Sequence, residues 1–174
     1  MNNLHNINEN ISRAIEISFA GNHPIAFVAS KELIETFSMG QLKKDIQTIA
    51  FNFTGRVHRA YTFEDADIIV EYSDFDMDSY WRCKDNKKET IEDMFKRINE
   101  VDKDLELQIE KPDTVRALLK TAKIRINLSL SMVEEVIRVA NTIAKLDKAS
   151  KIRVEHIAEA IQYKVVERNE YEII

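Results

Sequence analysis

The segment VASKELIETF, residues 28–37, lies where a nucleotide-binding protein would carry its phosphate loop. An apolar run precedes it and a helical pattern follows it, which is the usual setting of such a loop. The loop needs glycines, because bare backbone N–H groups must wrap the phosphates. The segment contains no glycine. The sequence therefore predicts that this junction has lost the usual phosphate-binding shape.

A second candidate for chemistry is the acidic stretch DFDMD, in which Asp74, Asp76 and Asp78 have the spacing that begins an EF-hand loop. Counted from Asp74, the sixth position is Ser79 instead of glycine, and the twelfth is Asp85 instead of glutamate. A solvated acidic loop fits the pattern better. The three aspartates are the candidate metal ligands, and we expect no bound metal.

The histidines and the cysteine give no catalytic pattern. His5, His23, His58 and His156 are scattered and include no pair at helical i,i+4 spacing. Cys83 is the only cysteine and has no histidine near it in the sequence. A single cysteine excludes an internal disulfide and fits a reducing cytosol. We expect His23 and His156 to form structural hydrogen bonds.

The charge is unevenly distributed along the 174 residues. Residues 111–174 carry 12 Lys and Arg against 9 Asp and Glu, a net of +3, whereas residues 1–110 carry 13 against 21, a net of −8. The acidic majority argues against a protein that coats nucleic acid. No apolar run approaches the roughly 18 residues that span a membrane, and the polar start is unlike a signal peptide. These features predict a cytoplasmic protein that does not bind membranes.

Basic side chains in the C-terminal part could form one charged face. They are Lys120, Lys123 and Arg125, with Lys148, Lys151 and Arg153. A solvated helix surface is the simpler interpretation. A DNA-binding face is the alternative.

The elements that would position these residues differ between the two halves. The first half has a helical pattern up to Gly21, further helix in KELIETF and QLKKDI, and strand-like runs at 24–29, 48–54 and 66–72. The second half has apolar residues at helical spacing after residue 90, from Pro112 or Asp113, and in the two segments that follow. We predict an α/β part, residues 1–83, with a small parallel three-stranded sheet, and an all-α bundle, residues 87–174.

The helical half is similar to a known family. SMVEEVIRVANTIAKLDKASKIRVEHIAEAIQYK, residues 131–164, resembles the C-terminal helical lid of the magnesium-chelatase-type AAA+ ATPases, which include the chelatase ATPase subunit and competence-related bacterial proteins. The similar spacing holds across two helices and their connection. The residues in register are Leu128, Ser129, Arg138, Val139, Ala140, Thr142, Ile143, Ala144, Leu146, Glu155, His156, Ile157, Ala158, Glu159, Ala160 and Tyr163.

Two segments of the first half resemble the same family. AIEISFAGNHPIAFVA is similar to the approach to the family's phosphate loop, through Ala14, Glu16, Ile17, Ala20, Gly21 and His23. DADIIVEYSDFDMDSYW resembles a core strand, through Asp67, Val70 and Glu71. The resemblance implies a reduced AAA+ core followed by a lid. It also implies that a nucleotide crevice, if one persists, would involve Gly21, His23, Lys31 and Ser131.

The departures from the family remove the parts that hydrolyse ATP. ASKELIET replaces the glycine-rich loop, with Lys31 near the family lysine by count, and the Asp-Glu pair that would hold Mg²⁺ is absent. Ser131 stands where the lid arginine would approach the γ-phosphate, and a serine has no charge to stabilise it. The space between residues 29 and 66 is too short for the usual intervening core strands.

The sequence therefore predicts a non-catalytic, AAA+-derived interaction or regulatory protein that needs no cofactor. Its partner would be another protein, either an intact AAA+ ATPase or a second copy of the chain. One alternative is a residual ATP- or ADP-binding protein or accessory subunit. The weaker alternative is a DNA-associated accessory factor.

Overall fold

The computed structural model describes residues 9–52, 57–72 and 91–174. These residues form seven helices and three strands. In chain order the elements are α1 (Glu9–Gly21), β1 (Ile25–Ser30), α2 (Lys31–Phe37), α3 (Met39–Asn52), β2 (Ile68–Glu71), α4 (Ile91–Asn99), α5 (Pro112–Ile126), α6 (Leu130–Leu146), α7 (Val154–Gln162) and β3 (Tyr171–Ile173).

The three strands form one mixed sheet in the order β2-β1-β3. β1 and β2 are parallel, with Ile25 opposite Ile68, whereas β3 is antiparallel to β1, with Val28 opposite Ile173. The prediction of a parallel sheet is therefore wrong for one of its three strands. The antiparallel strand is β3, which was not predicted from the sequence, whereas the two predicted strands that form, β1 and β2, are parallel.

The strand predicted at residues 48–54 is also wrong where the structure describes it. Residues 48–52 continue helix α3, and residues 53–54 lie outside the described residues. Leu42 and Ile46 are both fully buried and lie four residues apart, which is the spacing of one helix face. The helix that they anchor continues into a segment whose short apolar alternation resembles a strand.

The predicted helices of the second half are confirmed, and their ends follow from local chemistry. α5 begins at Pro112, and α6 follows Ser129, whose hydroxyl accepts a hydrogen bond from the N–H of Met132 at 3.2 Å. α7 begins after Arg153, whose N–H donates to Nδ1 of the buried His156 at 2.9 Å. Proline and serine are favoured at these positions because the first N–H groups of a helix have no partner within it.

One large apolar core joins the helical part to the sheet. It contains side chains of α1, β1 and β2 together with side chains of α6 and α7, among them Ile15, Phe27, Ile68, Ile143 and Ile157. The predicted boundary between residues 83 and 87 lies outside the described residues. Among the described helices, none is both long and apolar enough to cross a membrane.

Candidate functional site

The junction between β1 and α2 is a direct strand-to-helix turn. β1 ends at Ser30 and α2 begins at Lys31, so no loop separates them. The Ser30 hydroxyl accepts a hydrogen bond from the N–H of Leu33 at 3.1 Å. The N–H of Lys31 donates to the carbonyl oxygen of Glu170 at 3.0 Å. Two N–H groups at this helix start, the kind of donor that binds phosphate elsewhere, therefore bind the chain's own oxygens.

The segment that carries Glu170 continues along β1 as β3. The N–H of Ile174 donates to the carbonyl oxygen of Phe27 at 2.8 Å, and Arg59 donates to the carbonyl oxygen of Ile174 at 2.5 Å. The Arg59 guanidinium also lies 5.7 Å from the centroid of the Phe27 ring. The C-terminal segment is thus attached to β1 from Phe27 to Ser30 and to the first residue of α2, Lys31.

A cleft of about 780 Å³ opens beside this junction, between α1, the sheet, α7 and the C-terminal segment. Its volume is within the usual range of small-molecule sites. Its charged lining contains four carboxylates and one guanidinium: Glu71, Glu159, Glu167 and Glu170, with Arg13. Since like charges repel, this excess of carboxylates disfavours a polyphosphate.

Arg13 is already held by protein carboxylates. Its guanidinium donates to Glu159 at 3.0 Å and to Asp147 at 2.9 Å. Burial alone would lower the pKa of Arg13, but Glu159 and Asp147 outweigh it and raise the pKa above its ordinary value. Tyr163 donates its hydroxyl to Glu159 at 3.1 Å. Burial, and then the charge of Glu159, raise the pKa of Tyr163 above that of an ordinary tyrosine.

Just before the start of β1, a buried imidazole connects the sheet to the helical part. Nδ1 of His23 lies 3.1 Å from Oδ2 of Asp67, and Nε2 lies 2.7 Å from Oγ1 of Thr142 on α6. All three residues are buried. A Cβ atom added to Gly21 would lie 2.2 Å from His23 Nε2 and 2.4 Å from Thr142 Oγ1. Only glycine at this position leaves room for the contact.

The four predicted crevice residues are not gathered at one point. Gly21 and His23 lie together at the start of β1, whereas Lys31 is exposed at its far end, and a strand of this length spans about 20 Å. Ser131 is exposed in the first turn of α6, with its hydroxyl 3.0 Å from that of Ser129. It lies about 16 Å along the helix axis from the Thr142 position that contacts His23.

The predicted metal ligands Asp74, Asp76 and Asp78 lie outside the described residues. Among the residues that the structure does describe, no group of three His, Cys, Asp or Glu side chains could hold a metal ion.

The sequence does not identify Glu170 or Arg13, nor Asp67 and Thr142 as the two partners of His23. Asp67 and Thr142 were visible only as positions that match the family. Glu170 acts through its backbone oxygen, which no side-chain pattern reports. Arg13 is one of three charged residues on the amphipathic helix α1, and only the packed structure shows that Glu159 and Asp147 lie beside it.

Comparison with known proteins gives one family match. Residues 100–164 match the family described as "Magnesium chelatase, subunit ChlI C-terminal". This match supports a magnesium-chelatase-type family. No curated protein and no solved structure matches the chain.

The segment that matches the chelatase family contains α5, α6 and α7 with their connections. It includes Ser131 and Thr142 but neither His23 nor β3. The contacts that attach the matched helices to the rest of the chain include His23 to Thr142, Arg13 to Glu159 and Lys164 to the carbonyl oxygen of Ala66. In each of them only one partner belongs to the matched segment.

Proposed function

We propose that this chain is a non-catalytic protein-interaction module built on a chelatase-type helical domain. The observation that carries the proposal is the hydrogen bond from the N–H of Lys31 to the carbonyl oxygen of Glu170. A phosphate bound at this junction would have to displace it and the hydrogen bond between Ser30 and Leu33. Phosphate would also meet the carboxylates that line the adjacent cleft.

The helical part lacks the charge that would complete an ATPase site. Ser131 is exposed and its hydroxyl lies beside Ser129, so a γ-phosphate would meet no cation at that position. Transition-state charge in phosphoryl transfer is stabilised by cations and backbone donors. We therefore propose that the chain has no ATPase activity and needs no nucleotide or metal cofactor.

The partner in this proposal is a protein, and an intact AAA+ ATPase or a second copy of the chain are the two candidates. Residual ATP or ADP binding is the competing function, and the observation in its favour is the volume of the cleft, about 780 Å³. The proposal places the protein in the cytoplasm.

Thermal unfolding with and without Mg·ATP and Mg·ADP tests the proposal. A ligand at ten times its dissociation constant stabilises the folded state by about 1.4 kcal/mol. For a chain of this size, that corresponds to a rise in Tm of about 3–6 °C. We expect no rise at millimolar nucleotide and no release of inorganic phosphate.

Two variants show whether a rise in Tm, if one is measured, comes from nucleotide bound at the predicted crevice residues. Lys31→Ala and Ser131→Ala each remove a side chain from a predicted crevice position that is exposed, so neither should change folding. A rise in Tm that either variant abolishes would replace the proposal with residual nucleotide binding. Phosphate release by the unmodified chain would overturn the proposal outright.

A further inference from the structure

A second concave surface lies far in the sequence from the phosphate-loop position. It lies between α5 and the start of α6 and has a volume of about 390 Å³. Its apolar lining is contributed by Ile109, Pro112, Val115, Leu119, Leu128, Leu130 and Val133. We call it the α5–α6 groove.

Part of this apolar lining is open to solvent. Leu130, the first residue of α6, is 76% exposed. Leu119 and Val133 are half-buried, whereas Val115 and Leu128 are buried beneath them. An exposed leucine that borders a concave apolar surface is a usual feature of a protein-binding site.

The rim of the groove is basic. Arg116, Lys120 and Lys123 line it, and no acidic side chain does so among the described residues. Their spacing on α5 places them on one stripe about 10 Å long. Arg116 lies 3.8 Å from Asp113, and both side chains are largely exposed. In the described part of the chain, Lys120 and Lys123 form no ion pair.

We propose that the α5–α6 groove binds an acidic amphipathic helix of a partner protein. The apolar face of that helix would cover Leu119, Leu130 and Val133. Its carboxylates would lie along the stripe formed by Arg116, Lys120 and Lys123. An amphipathic helix in an apolar groove is one of the recurring modes of peptide recognition, and a basic rim favours a helix that carries carboxylates. The inference rests on the proposed function, because it supplies the surface for the proposed interaction.

DNA is a poorer occupant of the same surface. Three cations in a stripe could contact phosphates, but the aliphatic floor and the exposed Leu130 offer nothing to a sugar-phosphate backbone. Burial of apolar side chains favours a protein helix, because it removes Leu130 from water. The two classes of partner therefore differ in their dependence on Leu130.

Fluorescence anisotropy with labelled peptides tests the proposal on the full chain. The probes are an amphipathic helical peptide of leucine and glutamate, its counterpart of leucine and lysine, and a scrambled leucine–glutamate peptide. A labelled DNA duplex is the fourth probe. We expect the acidic amphipathic peptide to bind more tightly than the other three.

Two pairs of variants locate the binding site. Leu130→Gln should weaken the acidic peptide about tenfold, the equivalent of about 1.4 kcal/mol, whereas Ile124→Gln should not. Ile124 is 85% exposed on the same helix pair but does not line the groove. Lys120→Glu should weaken binding about fivefold, whereas Lys151→Glu, an exposed site outside the groove, should leave it unchanged.

Three results would overturn the inference: equal binding of the acidic and basic peptides, an unchanged affinity in Leu130→Gln, or DNA binding that depends on Lys120 and not on Leu130. Circular dichroism of each variant shows that the helices are retained. None of these three results would change the conclusion drawn from the nucleotide experiments, which test the proposed function. Conversely, phosphate release from ATP would overturn the proposed function and leave a positive peptide result in place.

Discussion

The N–H of Lys31 and the carbonyl oxygen of Glu170 form a hydrogen bond of 3.0 Å that joins the first turn of α2 to the last segment of the chain. The bond continues the ladder in which Ser30 lies opposite Tyr171, Ala29 opposite Glu172 and Val28 opposite Ile173. The C-terminal segment thus pairs with β1 through β3 and, through Glu170, also binds the start of α2. This relationship makes the C-terminal segment part of the candidate site.

Glu172→Pro should loosen that segment. Hydrogen-bonded pairs alternate along an antiparallel ladder, and the bond at Lys31 places the N–H of Glu172 toward Ala29. Proline removes this donor and leaves a carbonyl oxygen without its partner, at a cost of about 1–3 kcal/mol. Thermal unfolding should show a lower Tm for Glu172→Pro.

Glu172→Ala is the control for that change. The Glu172 side chain is exposed, and alanine retains the backbone donor. Its Tm should remain close to that of the unmodified chain. An equal fall in Tm in the two variants would mean that the Glu172 side chain, and not its backbone hydrogen bond, stabilises the fold at this position.

Gly21→Ala should separate α6 from the start of β1. The added Cβ would lie 2.2 Å from His23 Nε2 and 2.4 Å from Thr142 Oγ1, so the imidazole or the helix must move. Overpacking of this kind costs about 1–3 kcal/mol. The measurement is the free energy of unfolding from denaturant titration.

Gly40→Ala is a matched substitution without the clash. A Cβ atom at Gly40 meets no atom within 4 Å, and the residue lies in helix α3. Alanine is favoured over glycine by about 1 kcal/mol in a helix interior, and Gly40 is the second residue of α3, so the gain there should be smaller than that. Gly21→Ala should therefore lower the free energy of unfolding and Gly40→Ala should not, and equal changes in the two variants would contradict the predicted clash with His23 and Thr142.

Tyr163 should make the fold sensitive to alkali. Burial and the charge of Glu159 raise its pKa in the folded state, whereas in the unfolded chain it titrates near pH 10. The unfolded state therefore loses a proton that the folded state retains. The stability contributed by Tyr163 is fully present below about pH 10 and is lost as the pH rises toward the folded-state pKa.

Tyr163→Phe tests this pH dependence. Near neutral pH the variant loses the hydrogen bond to Glu159, worth about 1 kcal/mol. Above about pH 10 the gap in Tm between the variant and the unmodified chain should narrow. Tyr61→Phe, at a side chain that is 69% exposed, should show no such narrowing. If the difference in Tm between Tyr163→Phe and the unmodified chain stays constant above about pH 10, the raised pKa of Tyr163 is contradicted.

The helices of the second half could be predicted from the sequence because their signals are local. The apolar spacing of α6 and α7, and the proline and serine at the starts of α5 and α6, lie within a few residues of the structure they produce. The same holds for β1 and β2, which are apolar up to their last residues, Ser30 and Glu71. The resemblance of residues 131–164 to the chelatase-type lid agrees with the family match over residues 100–164.

The tertiary structure alone decided which distant groups meet. Tyr171–Ile173 is a strand because β1 supplies its partners, and no alternation marks so short a segment. Residues 48–52 are helical because the helix anchored by Leu42 and Ile46 extends into them. The sequence by itself determined the helices of the second half, strands β1 and β2, and the absence of glycine from residues 28–37. Packing determined that the Glu170 carbonyl oxygen takes the donor at Lys31, since a backbone oxygen has no sequence signature.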